Sequence, residues 1–230
     1  MKVKTLTEEQ NQLLESIWSA GVVVEYLLAT RDESDKDDYH AHRQTALLAL
    51  EKIQKDTNAY FENLIKMEAY QHKKREDFFQ IVIDSEKLIG EKRSLQQFMG
   101  RFYDIDRRRA AIRGRSSSFL NSYFWAGDEE TDENVIDTRL AFPGLKQAYA
   151  YAFFEPPYTS RGTAVEKETL FHAVERVFFD GFDAEAQIWS WPADSSNYFN
   201  AGKEWWGTFF YTYSLPGTDT ILGIAASATD

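Results

Sequence analysis

The chain has 230 residues, 43% apolar and 15% aromatic, with no cysteine and a formal net charge of -11. The missing cysteines exclude disulfides and thiolate metal sites. Aromatic side chains each bury ~150 to 250 Å², enough to argue against long-range disorder. The charge is unevenly placed: residues 1–120 hold 20 basic and 20 acidic side chains, whereas residues 121–230 hold 6 and 17. A surface that acidic repels nucleic-acid phosphates and favours basic partners or divalent cations.

The first residues, Met1-Lys2-Val3-Lys4-Thr5-Leu6-Thr7, contain no apolar run of the kind an export signal needs. The apolar stretch Ala20 to Ala29 is far shorter than the ~20 residues that cross a bilayer, and Glu25 interrupts it. The expectation is a cytoplasmic protein with no membrane contact.

Thr7 and Gln10 have the spacing of a capping box and predict a helix start. Leu13, Leu14, Ile17, Trp18 and Val22 recur at helical spacing, with Leu27 and Leu28 continuing the stripe. Arg31 to Asp38 reads as a connection. A second helix is predicted from Asp38, with Leu47, Leu50, Ile53, Tyr60, Phe61 and Leu64 on its apolar face. Phe78 to Ile112 extends a helical period past Gly90 and Gly100, so residues 1–120 are predicted to form an antiparallel bundle of three or four helices. Ser116-Ser117-Ser118 ends this pattern, and the acidic stretch Gly127 to Glu133 suits a connection.

Residues 121–230 are predicted to form a second, α+β domain. Tyr149, Tyr151 and Phe153 alternate with alanines, which reads as a strand from Lys146 to Phe154 buried on both faces. Thr163 and Glu166 repeat the capping-box spacing and open a helix to Phe179. Strands follow at Gln187 to Trp191, Trp205 to Tyr213 and Thr220 to Ser227, the last two joined by a turn at Pro216-Gly217. The predicted order is β-α-β-β-β in a mixed sheet, following the bundle.

If the first of these units is a right-handed parallel crossover, the carboxyl ends of its strands share one sheet edge. Glu155, Asp194 and Glu204 then gather there with Asp230, beneath the loop Ala193 to Asn200. The candidate partner-binding residues are Glu155, Tyr158, Asp194, Ser195, Asn197, Glu204 and Trp206, with Trp206 the exposed member of the Trp205-Trp206 pair. Carboxylates are also the ligands that Mg²⁺ and Mn²⁺ prefer, so a divalent-metal enzyme using Glu155, Asp194 and Glu204 is the alternative.

Other signatures weigh less. Phe154-Glu155-Pro156-Pro157-Tyr158 resembles the Asp/Asn-Pro-Pro-Tyr/Phe motif of amino-methyltransferases, but it departs at the first position and no glycine-rich cofactor loop accompanies it. The prolines are read as ending a strand. His40, His42, His72 and His172 form no helical pair suited to a metal and are read as solvated. Six arginines lie between Arg101 and Arg115; their predicted role is pairing with the acidic half of the chain in preference to nucleic acid. No cofactor fingerprint is present.

An acidic, aromatic-rich, cysteine-free chain without a catalytic signature is similar in type to bacterial immunity proteins and antitoxins, which neutralise basic toxins. That resemblance implies a non-enzymatic protein capturing a basic protein partner through its acidic C-terminal half.

Overall fold

The computed structural model describes residues 1–32, 37–137, 148–158 and 160–228. Its strands are β1 (Lys2–Val3), β2 (Glu25–Thr30), β3 (Glu91–Arg93), β4 (Tyr103–Asp104), β5 (Arg109–Gly114), β6 (Ser122–Trp125), β7 (Gln187–Ser190), β8 (Thr208–Ser214) and β9 (Thr220–Ser227). The α-helices are α1 (Glu8–Ser19), α2 (Asp38–Ile65), α3 (Leu95–Met99), α4 (Tyr149–Phe154), α5 (Ala164–Val174) and α6 (Asn200–Lys203).

A six-stranded sheet runs β1-β2-β9-β8-β7-β3, and every pairing in it is antiparallel. The predicted mixed sheet with a parallel crossover is therefore replaced by an antiparallel one. β8 and β9 form a hairpin around the predicted Pro216-Gly217 turn, and Thr218 Oγ1 closes the turn on the Leu215 carbonyl at 3.0 Å. Alternation along the strands sends side chains to two different cores. Leu27, Ala29, Phe210 and Ala225 join the cluster under α2; Tyr26, Leu28, Tyr211, Tyr213 and Ile224 join the larger cluster on the other face. Gly223 of β9 lets α2 sit close, since a Cβ there would lie 3.1 Å from the Ala49 Cβ.

The predicted N-terminal bundle does not form, because α1 and α2 lie on opposite faces of the sheet. α1 keeps its Thr7–Gln10 capping box and stops at Ser19. Gly21, at φ 89°, breaks the helix, and the β-branched run Val22-Val23-Val24 leads into β2, which pairs with β9 along its whole length. Residues 75–112 form short 3₁₀ turns, α3 and strands in place of long helices. The main sheet thus takes strands from both sides of residue 120.

The predicted strand at 146–154 is corrected in its described part: Tyr149–Phe154 is α4. All six of its residues are buried, and where every side is covered, an alternation of small and large residues does not distinguish strand from helix. Tyr149 stacks on Phe98 at 4.8 Å and shares a buried hydroxyl contact of 2.8 Å with Tyr26 of the sheet. α5 starts at the predicted Thr163–Glu166 capping box. It runs into a π-helical turn, Glu175–Phe179, which ends at Asp180 in the left-handed conformation. A separate meander of β4, β5 and β6 packs beside α5. Among the described residues, no helix is long and apolar enough to cross a membrane.

Candidate functional site

The residues predicted to meet at one sheet edge are divided between the two faces. Glu155 caps α4, forms an ion pair with Arg113, and its backbone carbonyl accepts the Trp206 indole N–H at 2.6 Å. Trp206 is 2% exposed, packed edge-on to Phe209, whereas Trp205 is 48% exposed. The predicted exposure of the pair is thereby reversed: the indole N–H that would have met solvent has its partner inside the fold. Ser195 and Asn197 lie on the α2 side. The Ser195 carbonyl accepts the Asp84 N–H at 2.8 Å, and Asn197 bonds to the backbone of Val82 at 2.7 Å and of Gln80 at 2.9 Å. These bonds hold residues 80–84 against the 193–200 loop, a packing role. Asp194 and Glu204 are exposed, and Tyr158 is 53% exposed. Asp230 lies outside the described residues.

Glu155, Asp194 and Glu204 therefore do not assemble a carboxylate cluster. Among the described residues, no three His, Asp or Glu side chains are grouped as a cation would require. Glu155 instead sits with Arg113, Pro156, Pro157, Ser160 and Lys167 around a cavity of about 310 Å³. Burial lowers the Lys167 ammonium below its ordinary value, and the Glu155 carboxylate partly offsets that.

Three of the six clustered arginines pair with distant carboxylates, and Arg107 pairs with its neighbour Asp104 at 3.5 Å. Arg108 pairs with Glu175 at 2.7 Å, Arg109 with Asp128 at 3.1 Å and with Glu168 at 3.9 Å, and Arg113 with Glu155. Each of these carboxylates belongs to the acidic half of the chain. The histidines are not uniformly solvated. His40 and His72 are exposed, but His42 is fully buried between Thr212 Oγ1 (2.8 Å) and Ser214 Oγ (3.1 Å), and His172 is tied to Glu175.

The acidic character concentrates beyond β6. Asp128, Glu129, Glu130, Asp132, Glu133 and Asp137 are all exposed within ten residues. This shelf grips the loop that follows β5. Asp132 accepts from Ser117 Oγ at 2.8 Å, from the Ser118 backbone N–H at 3.1 Å and from the Ser118 hydroxyl; Glu130 accepts the Arg115 N–H at 2.8 Å. The hydroxyls of Ser116 and Ser118, the Ser118 N–H and the Ser117 hydroxyl favour the ionised form of Asp132 and hold its carboxyl well below the usual range. Ser116 closes the loop by donating its N–H to the Phe119 carbonyl at 2.9 Å and accepting the Phe119 N–H on Oγ at 3.1 Å. At its tip, Phe119 is 51% and Leu120 78% exposed. A loop tied down on its polar side by Glu130 and Asp132 presents two apolar side chains to solvent.

Phe119, Leu120 and Asp132 escaped the sequence reading. Their signal was local: an apolar pair between a serine triplet and Asn121, followed by an acidic run. That run reads as a simple connection until Asp132 is seen to bridge to the serines.

The chain matches no protein-family model, no curated protein and no solved structure.

Proposed function

We propose that this is a non-enzymatic binding protein that captures a basic protein partner through its acidic shelf, with Phe119 and Leu120 as the apolar anchors. The reading is supported above all by the loop held out by Asp132. Among the described residues, the solvent-exposed Phe119 and Leu120 belong to neither apolar core, and their tethered backbone lowers the ordering cost on association. The surrounding carboxylates steer a basic partner towards it and confer specificity, while the apolar pair supplies contact area that resists dissociation. Half-exposed Tyr158, which follows Pro157 at the Glu155 cavity, is proposed as a second, separate contact.

The experiment is affinity capture from the native host, with association then measured on the recovered partner. Charge reversal at Glu129 and Glu133 is expected to slow association about tenfold at low salt and to flatten its salt dependence. Replacing Phe119 and Leu120 with Ser is expected to speed dissociation with little change in association rate. Recovery of only acidic partners, or a basic partner indifferent to both changes, refutes the reading.

A further inference from the structure

A cavity of about 360 Å³ opens where α5 runs into the π-helical turn, lined by Arg108, His172, Glu175, Arg176, Asp180 and Gly181. Three independent features converge on it. The π-turn is a helix irregularity that recurs at functional sites. Arg108 (φ 54°) and Asp180 (φ 55°) are the only non-glycine residues at positive φ among those described, and both line this cavity. Such conformations cost free energy and persist where the surroundings enforce them. The third feature is Glu175, a carboxylate only 2% exposed.

Glu175 organises the cavity. Its Oε2 accepts Nδ1–H of His172 at 2.9 Å and an Arg108 Nη2–H at 2.7 Å, and its Oε1 accepts the Phe182 N–H at 3.2 Å. Burial alone would raise this carboxyl, but His172, the Phe182 N–H and Arg108 together outweigh it and hold the group below its ordinary value. An ionised carboxylate can only accept, so the proton of a neutral His172 sits on Nδ1. Nε2 is then a lone-pair acceptor with no hydrogen-bond partner among the described residues. Tyr213 fixes the far wall by donating its hydroxyl to the Gly181 carbonyl at 2.8 Å and accepting the Asp183 N–H at 3.2 Å.

The cavity therefore offers two guanidinium donors and one imidazole acceptor. Asp180 and Glu175 balance the two arginine charges, which disfavours a polyanion and leaves room for one small group bearing both acceptor oxygens and a hydroxyl. We propose that this cavity binds a single protonated phosphate group, as inorganic phosphate or a phosphate monoester, with Arg108 and Arg176 donating to its oxygens and His172 Nε2 accepting from P–OH. The site is distinct from the acidic shelf and does not depend on the partner-capture reading.

The test is calorimetric titration of the full chain with inorganic phosphate, phenyl phosphate and sulfate, together with imidazole NMR of His172. Phosphate should bind saturably and shift the His172 ring. Sulfate, which has no hydroxyl to give at neutral pH, should bind about tenfold more weakly, the cost of roughly one hydrogen bond. Tighter binding of phenyl phosphate than of inorganic phosphate identifies a monoester ligand; the reverse order identifies the free ion. His172→Phe should erase the preference over sulfate. Arg176→Ala, at an exposed position, should weaken phosphate about tenfold without altering the melting temperature. No saturable phosphate binding, equal affinity for sulfate, or binding unchanged in Arg176→Ala overturns the proposal.

Discussion

His42 makes the stability of this protein depend on pH in a calculable way. Its ring is fully buried under α2, both nitrogens are within hydrogen-bond distance of hydroxyls, and Trp191 Nε1 donates to the same Thr212 hydroxyl at 3.0 Å. Burial above all, with smaller contributions from Arg31 and Lys92 and against the opposing Asp38, lowers the imidazole to about 3. In the unfolded chain the ring titrates near its usual value of ~6.5. Stability from this group is therefore complete above that value and falls as the pH is lowered from ~6.5 towards the folded-state value, because only the unfolded chain takes up the proton. At about pH 5 the unfolded state has gained roughly 1.5 pH units of protonation free energy, about 2 kcal/mol. Urea denaturation of the wild type and of His42→Gln at about pH 7.5 and pH 5 checks this; comparing the two proteins cancels the titration of His40, His72 and His172. The variant should be less stable near neutrality, having lost one of two buried hydrogen bonds, but its acid loss should be smaller by about 2 kcal/mol. Equal acid losses in the two proteins would refute the buried neutral imidazole.

Replacing Arg107, Arg108 and Arg109 together with Ala should lower the melting temperature by roughly 3 to 6 °C, since Glu175 keeps its burial and loses a counter-ion, with the exposure of the Arg108 guanidinium moderating the loss. A salt-sensitive nucleic-acid affinity in the wild type that vanishes in the mutant would instead assign these arginines an external role. Trp206→Phe should cost about 1 to 2 kcal/mol in chemical denaturation by leaving the Glu155 carbonyl without its indole donor; a neutral effect would show that this bond contributes nothing net. Proteolytic nicking between Ser116 and Asp137 should yield two pieces that co-elute in native gel filtration and separate only in urea, because both supply strands to one sheet. Spontaneous separation would contradict the pairing of β2 with β9 and of β3 with β7.

What local chemistry determines was legible in the sequence. The capping boxes at Thr7 and Thr163, the helix over 38–65, the Pro216-Gly217 turn and the strands around it each depend on side chains within a few residues of one another, and each is where the sequence placed it, except that β8 begins at Thr208 and not at Trp205. The pairing of Arg108, Arg109 and Arg113 with acids of the C-terminal half also followed from the charge imbalance, although the individual partners did not.

The tertiary structure decided the rest. β2 reads as helix continuation until it meets β9, nearly two hundred residues away in sequence. α4 reads as a strand because its alternation is real, but Phe98, Phe171 and Tyr26 surround it, and burial on every side overrides the period. The predicted carboxylate edge failed for the same reason. It required a parallel crossover, and once the 149–154 segment is a helix and the sheet antiparallel, Glu155 and Asp194 fall on opposite faces. The two sites that did emerge, the Asp132-tethered loop and the Glu175 cavity, each need a hydrogen bond between distant residues, Ser118 to Asp132 at 14 positions and Arg108 to Glu175 at 67. Interactions at such separations leave no periodicity in the chain, because their geometry exists only after the sheet and its covering helices have brought distant segments together.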